Sequence, residues 1–422
     1  MYDINIKPSS LHTNLQQTII ALSHAQATES NKQAFMQSVE EYMYENHYFD
    51  LFEKIVSYRV NEIHQMQDPD APRGNLYTTL TSPLAQTITG VKPINDLPSL
   101  FLYIERTAIA FYGDILMCWA EFKAFQINQQ AKRHLQAHYD EQCPPTSSEE
   151  NVSEMYRYEV VEDIRNDERL FLTSHSLYPM TLSLANVLIN LETFVKQQHW
   201  YEMLYYLDIS ASGEHFILYQ DIGGEAPLLL SSALIQRYEQ HDNWLTFDPF
   251  FQTDSWTLTL SNEKISTLEQ SGIFSNRLKS KLNMQSVEKF DYSLLRAVTQ
   301  KQAVCEIIRM AISGPREKLN HVLYLTLKYL TLKLADIGLE VAYTIVEQPS
   351  ILGFYQSVNN DSKNILPYVA LCQQQVAGTA LTTYQGVVFT GPMSQAFEEN
   401  SFRDYNKRII SMRKLARASA NA

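Results

Sequence analysis

The sequence predicts an α+β fold in two parts, an N-terminal all-α domain followed by a mixed α/β domain. Three observations carry this. The 422 residues contain 13 Gly and 15 Pro, few turn-formers for a many-turned β sandwich. The run Cys143-Pro144-Pro145-Thr146-Ser147-Ser148-Glu149-Glu150-Asn151 cannot continue a helix and has nothing to bury, so it marks a boundary. Between Val304 and Val346 the order strand, glycine turn, helix, glycine, strand is that of a βαβ unit. The implied organisation is a helical domain over 1–143, a linker over 144–151, an α/β domain over 152–400 and a basic C-terminal helix or tail over 401–422.

Within the first part, Ser30 is placed to cap a long amphipathic run. Phe35, Val39 and Met43, then Leu51, Ile55, Tyr58 and Glu62, follow helical steps with the apolar members on one stripe. Gln67 to Asp96, with four Pro and two Gly, reads as a long connection. A second helical block runs from Ser99 toward His138, interrupted at Gly113. In the second part, Leu184, Val187, Leu188, Leu191 and Val195 share one face of a helix over 182–198. His215–Gln220 and Ala226–Leu230 flank a Gly-Gly turn and read as a β-hairpin. Thr257–Leu260 alternates as a short strand, and Ile265 to Gln285 reads as a helix; most of 232–300 gives no clear pattern.

From Val304 the pattern sharpens. Val304–Ile312 is a strand ended by Ser313-Gly314-Pro315. Leu319, Leu323, Leu327, Leu330 and Leu334 form a helical stripe closed at Gly338. Glu340–Val346, Pro367–Leu371 and Gly386–Thr390 read as further strands. The handedness rule places the strands joined by the helix side by side or nearly so. From Tyr405 the chain is a short basic amphipathic helix.

Composition narrows the function. Lys+Arg 34 against Asp+Glu 47 gives a net charge of −13, which argues against a general nucleic-acid binder. The four cysteines, Cys118, Cys143, Cys305 and Cys372, form no CxxC and read as buried thiols in a reducing compartment. The N-terminus lacks the charge-then-apolar pattern of a signal peptide, and no run of about 18 apolar residues spans a membrane. The expectation is a cytoplasmic protein with no nucleic-acid partner. Glu41, Glu45, His47, Glu62, His64, Glu105, Asp114 and Glu121 are ligand types of a di-iron bundle, but no Glu-x-x-His occurs among them. They read as solvated helix-face charges, and no metal is expected.

The best chemical candidate is the junction from the strand at 304–312 to the helix that follows. A helix N-terminus presents unpaired N–H groups and can hold a phosphate. Ser313, Gly314, Arg316 and Lys318 lie there. Glu306 and Arg309 are charged residues in an apolar strand, where charge needs a partner. At i and i+3 they face opposite sides of a flat strand, so each needs its own partner unless a bulge intervenes.

These features resemble the autoinducer (acyl-homoserine lactone) synthases of the GNAT acyltransferase superfamily. The resemblance covers roughly 180–360 and rests on the hairpin, on Glu306-x-x-Arg309 in an apolar strand, and on the helix and strand after it. It implies a GNAT-like sheet splayed between two strands, with the acyl donor in the splay and its phosphopantetheine arm near the 304–334 junction. The implied function is N-acyl transfer from acyl-CoA or acyl-carrier protein to a small amine, with no tightly bound cofactor. Glu306 would be the general base or pocket organiser; Arg309, Ser313, Gly314, Arg316 and Lys318 would bind the donor. Trp200 and Asp208 stand where the family carries acceptor-pocket residues. No basic residue lies between Ala226 and Ile235 to match the family's Arg, and the family's glycine-rich phosphate loop is absent. Those departures define the rival reading, a non-catalytic binding or scaffold protein that keeps a degenerate acyltransferase fold.

Overall fold

The computed structural model describes residues 10–67, 74–95, 97–138, 155–223, 226–248, 256–275, 278, 286–346, 349–359, 365–375 and 382–420. The linker expected over 144–151 lies outside them. The chain divides into two compact units: Met1–Asp140 with Leu191–Leu207, and Glu141–Asn190 with Asp208–Ala422.

The first unit is helical. Its helices are α1 (Ser10–Leu22), α2 (Glu29–Asn46), α3 (Leu51–Met66), α4 (Leu76–Leu80), α5 (Pro83–Ile88), α6 (Leu100–Tyr112) and α7 (Ile115–His138). Thr28, not Ser30, caps α2, its hydroxyl accepting from the Asn31 N–H. The expected stripe is the buried one: Phe35, Val39 and Met43 on α2, Leu51 and Ile55 on α3. The long connection contains two short helices, capped by Asn75 and Ser82. Gly113 ends α6 at φ 93°, as the interruption requires.

One expectation fails here. Glu105 is not a solvated charge: it and Arg59 are both fully buried. Arg59 donates Nε to Glu105 Oε1 (2.8 Å) and Nη2 to Oε2 (2.7 Å), a two-pronged pair. Arg59 also reaches Glu62 (2.7 Å) and the Lys92 carbonyl (2.6 Å), and Glu105 accepts from the Gly90 N–H (2.8 Å). Two carboxylates of the imagined metal bundle therefore bind one guanidinium. That cluster ties α3 to α6 and to the turn before α6.

The second unit is a sheet with helices. Its strands are β1 (Met155–Val161), β2 (Leu170–Phe171), β3 (Met180–Thr181), β4 (His215–Asp221), β5 (Leu228–Arg237), β6 (Thr257–Leu258), β7 (Val304–Ile312), β8 (Val341–Val346), β9 (Tyr368–Gln375) and β10 (Thr382–Phe389). Its helices are α8 (Leu182–Asn190), α9 (Asn262–Gln270), α10 (Val287–Ala297), α11 (Leu319–Asp336), α12 (Pro349–Asn359), α13 (Thr390–Glu399) and α14 (Phe402–Ala420). The large sheet runs β1-β4-β5-β7-β8-β10-β9-β6 and is antiparallel except between β7 and β8. The architecture is α+β, as expected, and β7–α11–β8 is the expected βαβ unit with adjacent strands.

The helix expected over 265–285 is shorter. It is α9, which stops at Gln270 because Ser271-Gly272 turn the chain with Gly272 at φ 74°. The helix expected over 182–198 is α-helical only to Asn190 and widens to a π-helix over Leu191–Gln197.

The sheet has two buried faces. Phe216, Ala233, Ile235, Cys305 and Ile307 face a core built with α11, α12, α13 and α14. Val304, Val341 and Tyr343 face the other side, with Trp244 and residues of α9 and α10. Cys118, Cys305 and Cys372 are free and buried, as expected. Among the described residues no helix is long and apolar enough to cross a membrane.

Breaking the Arg59 cluster should be costly. Glu105→Gln leaves a buried guanidinium short of charge and is expected to lower the unfolding free energy by about 3–5 kcal/mol. Arg59→Met with Glu105→Leu should recover most of that. Urea unfolding of both variants checks it; a loss near zero for Glu105→Gln contradicts the account.

Candidate functional site

The site begins where two strands stop pairing. The parallel ladder of β7 and β8 runs from Val304↔Val341 to Ile307↔Thr344 and ends there, although β7 continues to Ile312 and β8 to Val346. Past Ile307, the β7 groups that point toward β8 have no ladder partner on that strand.

A bulge sits at the same place. Against β5 the register runs Ser232↔Ala311 and then Leu234↔Ile308, so Arg309 and Met310 stand opposite Ala233 alone. Arg309 adopts φ 54°, a left-handed conformation that suits glycine and costs a larger residue about 1–3 kcal/mol. The bulge is one of the two arrangements that the spacing of Glu306 and Arg309 allowed, the other being a separate partner for each.

A buried polar network secures it. Arg309 Nη1 donates to Ser210 Oγ (2.8 Å). The Ser210 carbonyl accepts from Asn186 Nδ2 (2.5 Å), and that same nitrogen donates to His215 Nε2 (3.1 Å). Asn186 Oδ1 accepts from the Ser232 hydroxyl and from Asn190 Nδ2 (3.0 Å). His215 Nδ1 donates to the Gly213 carbonyl (2.9 Å), which sets the neutral tautomer. Burial pushes the His215 pKa down to about 4, and the nearby Arg309 charge adds to this against the pull of the Gly213 carbonyl. Burial also lowers Arg309 to about 10, still charged at neutral pH.

Glu306 lies on the other stretch of β7. It alternates with Cys305 and Ile307 and so shares the face of Val304 and Trp244. It is fully buried. Its partners are not a cation but a turn: Oε2 accepts from the Leu245 N–H (2.7 Å), and Oε1 from the Thr246 N–H (2.7 Å) and hydroxyl (2.5 Å). Burial raises its pKa from an ordinary 4.5 to about 7, against the pull of those donors.

Across the β5–β7 ladder Glu306 faces Gln236. Gln236 Oε1 is buried with no hydrogen-bond partner among the described residues. Gln236 lines a groove of about 370 Å³ with Asp208, Ser212, Glu214, Leu234 and Gln240. Glu214 is held by Arg237 (both bonds 2.7 Å), which leaves Asp208 as the groove's other carboxylate. Trp200 belongs to the first unit, where it packs edge-on against Phe194 (6.2 Å).

The opposite end of β7 is about 20 Å from Glu306, at roughly 3.3 Å per residue. There Ser313 is buried; its N–H donates to the Leu230 carbonyl (2.7 Å) and its hydroxyl meets that of Ser174 (2.7 Å). Gly314, at φ 125°, donates its N–H to Ser174 Oγ (3.2 Å). Arg316 is exposed, and α11 starts after Lys318 without a side-chain cap. The structure thus spreads the six expected residues along one strand and its exit: Glu306 near the paired end, Arg309 in the bulge, and Ser313, Gly314, Arg316 and Lys318 at the helix. Sequence reasoning missed Asn186, Ser210, Ser232 and Gln236. Only an Asn at i and i+4 on an apolar helix hinted at the first.

Comparison with known proteins gives a family. Residues 29–418 match the family described as acyl homoserine lactone synthase. The acyl-homoserine-lactone synthase LuxM of Vibrio atlanticus (strain LGP32) is 32% identical over 314 residues, 74% of this chain and 76% of that protein. OpaM of Vibrio parahaemolyticus, also named an acyl-homoserine-lactone synthase, is 34% identical over 63% of this chain and 66% of its own length. LuxM of Vibrio harveyi is 34% identical over 56% of this chain and 57% of its own length. No solved structure matches.

The raised Glu306 pKa has a sign. The folded state holds its proton up to about pH 7, while the unfolded state releases it near 4.5, so this group's stabilising contribution is lost as pH rises between those values. Relative to Glu306→Gln, the wild type should lose on the order of 3 kcal/mol of unfolding free energy across that window. Urea titrations of both proteins at pH 4.5 and 7.5 measure it; parallel curves contradict a buried, titrating Glu306.

Proposed function

The chain belongs to the acyl homoserine lactone synthase family, and we propose that it transfers an acyl group from acyl-CoA or acyl-carrier protein to a small amine in the cytoplasm. The observation that carries this is the early end of the β7–β8 ladder. An acyl thioester laid in that opening would meet β7 N–H groups that β8 does not take, and these would stabilise the oxyanion formed on attack. The parallel pair with α11 crossing between its strands supports a GNAT-like reading of the domain over 152–400.

The relatives' names give the product class. An acyl-homoserine lactone holds an amide and a lactone. The acceptor must therefore bring an amine that attacks the thioester carbonyl, loses a proton and releases the donor thiol. An open-chain acceptor must also close the ring, either by its carboxylate displacing a leaving group from the γ carbon or by a γ-hydroxyl attacking the carboxyl with loss of water. The groove suits such an acceptor: Asp208 is a counter-charge for the amine, and the unpartnered Gln236 Oε1 can accept its N–H. At the other end, the N-terminus of α11 with Arg316 and Lys318 suits the phosphates of the donor, over the backbone of Ser313 and Gly314.

In this reading Arg309 carries the charge at the opening and binds the donor. Glu306 is the organiser. Both its oxygens accept hydrogen bonds from the Leu245–Thr246 turn, so it shapes the wall beside Gln236 rather than touching substrate.

The test is thiol release from acyl-CoA and acyl-carrier protein in the presence and absence of amines. Amine-dependent release is expected, and none with any donor would leave the non-catalytic rival. Arg309→Gly is the informative variant, because glycine accepts φ 54° without strain. It should keep or raise the melting point yet lose at least about tenfold in kcat/KM, some 1.4 kcal/mol of transition-state stabilisation. Full activity would remove Arg309 from the site.

A further inference from the structure

Among the buried residues of α8, Leu182, Ala185, Leu188 and Ile189 are apolar, while Asn186 and Asn190 are not. α8 packs on β5 and β7, and Asn186 is 1% exposed beneath it. A buried amide has two donor and two acceptor positions to satisfy. Asn186 fills them all. Nδ2 donates to the Ser210 carbonyl (2.5 Å) and to His215 Nε2 (3.1 Å); Oδ1 accepts from the Ser232 hydroxyl and from Asn190 Nδ2 (3.0 Å). These partners fix which way the amide points. His215 Nδ1 donates to the Gly213 carbonyl (2.9 Å), so Nε2 carries a lone pair that needs a donor. Turned over, the amide would set its oxygen against that lone pair and against the Ser210 carbonyl. A leucine of similar size would leave all four partners short of a bond.

What α8 holds is the segment that meets Arg309. Ser183, one turn before Asn186, donates its hydroxyl to the Ala211 carbonyl (2.7 Å). Two successive carbonyls, of Ser210 and Ala211, are thus tied to one helix. Among the described residues, no hydrogen bond of Asn186 reaches the backbone of β7. The connection to β7 runs through one side chain: the clamped Ser210 offers its Oγ to Arg309 Nη1 (2.8 Å). Arg309 stands two residues past the last β7–β8 pair, Ile307↔Thr344. A guanidinium on a long side chain loses rotamer freedom when a ligand fixes it, and a fixed acceptor in the protein removes that freedom beforehand.

We propose that Asn186 is a positioning residue: by clamping the Ser210 carbonyl it sets the Ser210 hydroxyl against Arg309 and holds that guanidinium ready at the opening between β7 and β8. Asn186 itself touches no substrate. The inference rests on the proposed donor-binding role of Arg309 and adds the residue through which that role is held.

The test is a double-mutant cycle on the full chain with Asn186→Ala, Arg309→Gly and the double variant. Dissociation constants are measured by calorimetry for a series from acetyl-CoA to dodecanoyl-CoA. Should no ester of that series bind the wild type, acyl-carrier protein loaded with the same chains is the probe. Asn186→Ala and Arg309→Gly should each weaken donor binding at least about tenfold, as expected when a hydrogen-bonded charge is lost or misplaced. The double variant should bind within about twofold of Arg309→Gly, because without a guanidinium there is nothing to position. A general structural loss predicts the same factor for Asn186→Ala in both backgrounds, and that result overturns the positioning role alone. Unchanged binding by Asn186→Ala overturns it too. Should Asn186→Ala fail to fold, Ser210→Ala takes its place in the cycle, since it removes the hydroxyl and leaves the carbonyl to Asn186. Ser210→Thr, which keeps the hydroxyl, should then bind more tightly than Ser210→Ala, and equal weakening by the two overturns the inference. Arg309→Gly that binds as tightly as the wild type overturns the donor role of Arg309 and this inference with it. A wild type that binds neither probe overturns the donor reading itself.

Discussion

The second unit depends on a parallel ladder that stops early. β7 and β8 pair over Val304–Ile307 and then no longer pair with each other, and Arg309 and the turn into α11 follow along β7 past that point. A strand pair that ends inside a protein must be held apart, because unpaired backbone groups would otherwise find one another. α11 crosses between the two strands, with Val322 through Leu327 buried. The bulge at Arg309 turns β7 where it leaves its partner. The strain of a left-handed arginine is offset by fixing its side chain to Ser210 and, through Ser210, to Asn186.

Burial moves two ionisable groups of the second unit, His215 and Glu306, toward their neutral forms. Burial keeps His215 neutral, and its two nitrogens meet a carbonyl and an amide. Glu306 sits among donors but no counter-charge, so its pKa settles between the cost of burial and the pull of three hydrogen bonds. The two shifts oppose each other in pH. Stability from His215 rises through the window between about 4 and 6.5, where that from Glu306 falls. Arg59 in the first unit instead stays charged, through ion pairs with Glu62 and Glu105. Its carboxylates are consumed by it, which is why helix carboxylates there do not make a metal site.

Much of this was legible in the sequence. β7, α11 and β8 announce themselves because short apolar runs flank a helical stripe of leucines, with glycines at both changes. The parity of Glu306 and Arg309 asked for a separate partner for each or a bulge, and the structure has both. The family resemblance rested on the same stretch. What stayed hidden has a common cause: it is made by contacts between residues far apart in sequence. Asn186, Ser210 and Ser232 are ordinary singly, and only the fold brings them to Arg309. Glu105 looked like a surface charge because helical spacing says which residues share a face, not which face is covered. α10, although strongly amphipathic, sits in a region whose strand and helix signals overlap, and α9 ends at a Ser-Gly that a longer periodic pattern overrode.

The central claim is that the opening between β7 and β8 receives the acyl thioester. A crystal structure with a non-hydrolysable thioether analogue of an acyl-CoA tests it most directly. The account predicts the thioether between the Ile308–Ile312 stretch of β7 and the end of β8, with the phosphates at Ser313–Lys318. An analogue bound elsewhere on the second unit, with that opening filled by side chains, would contradict it.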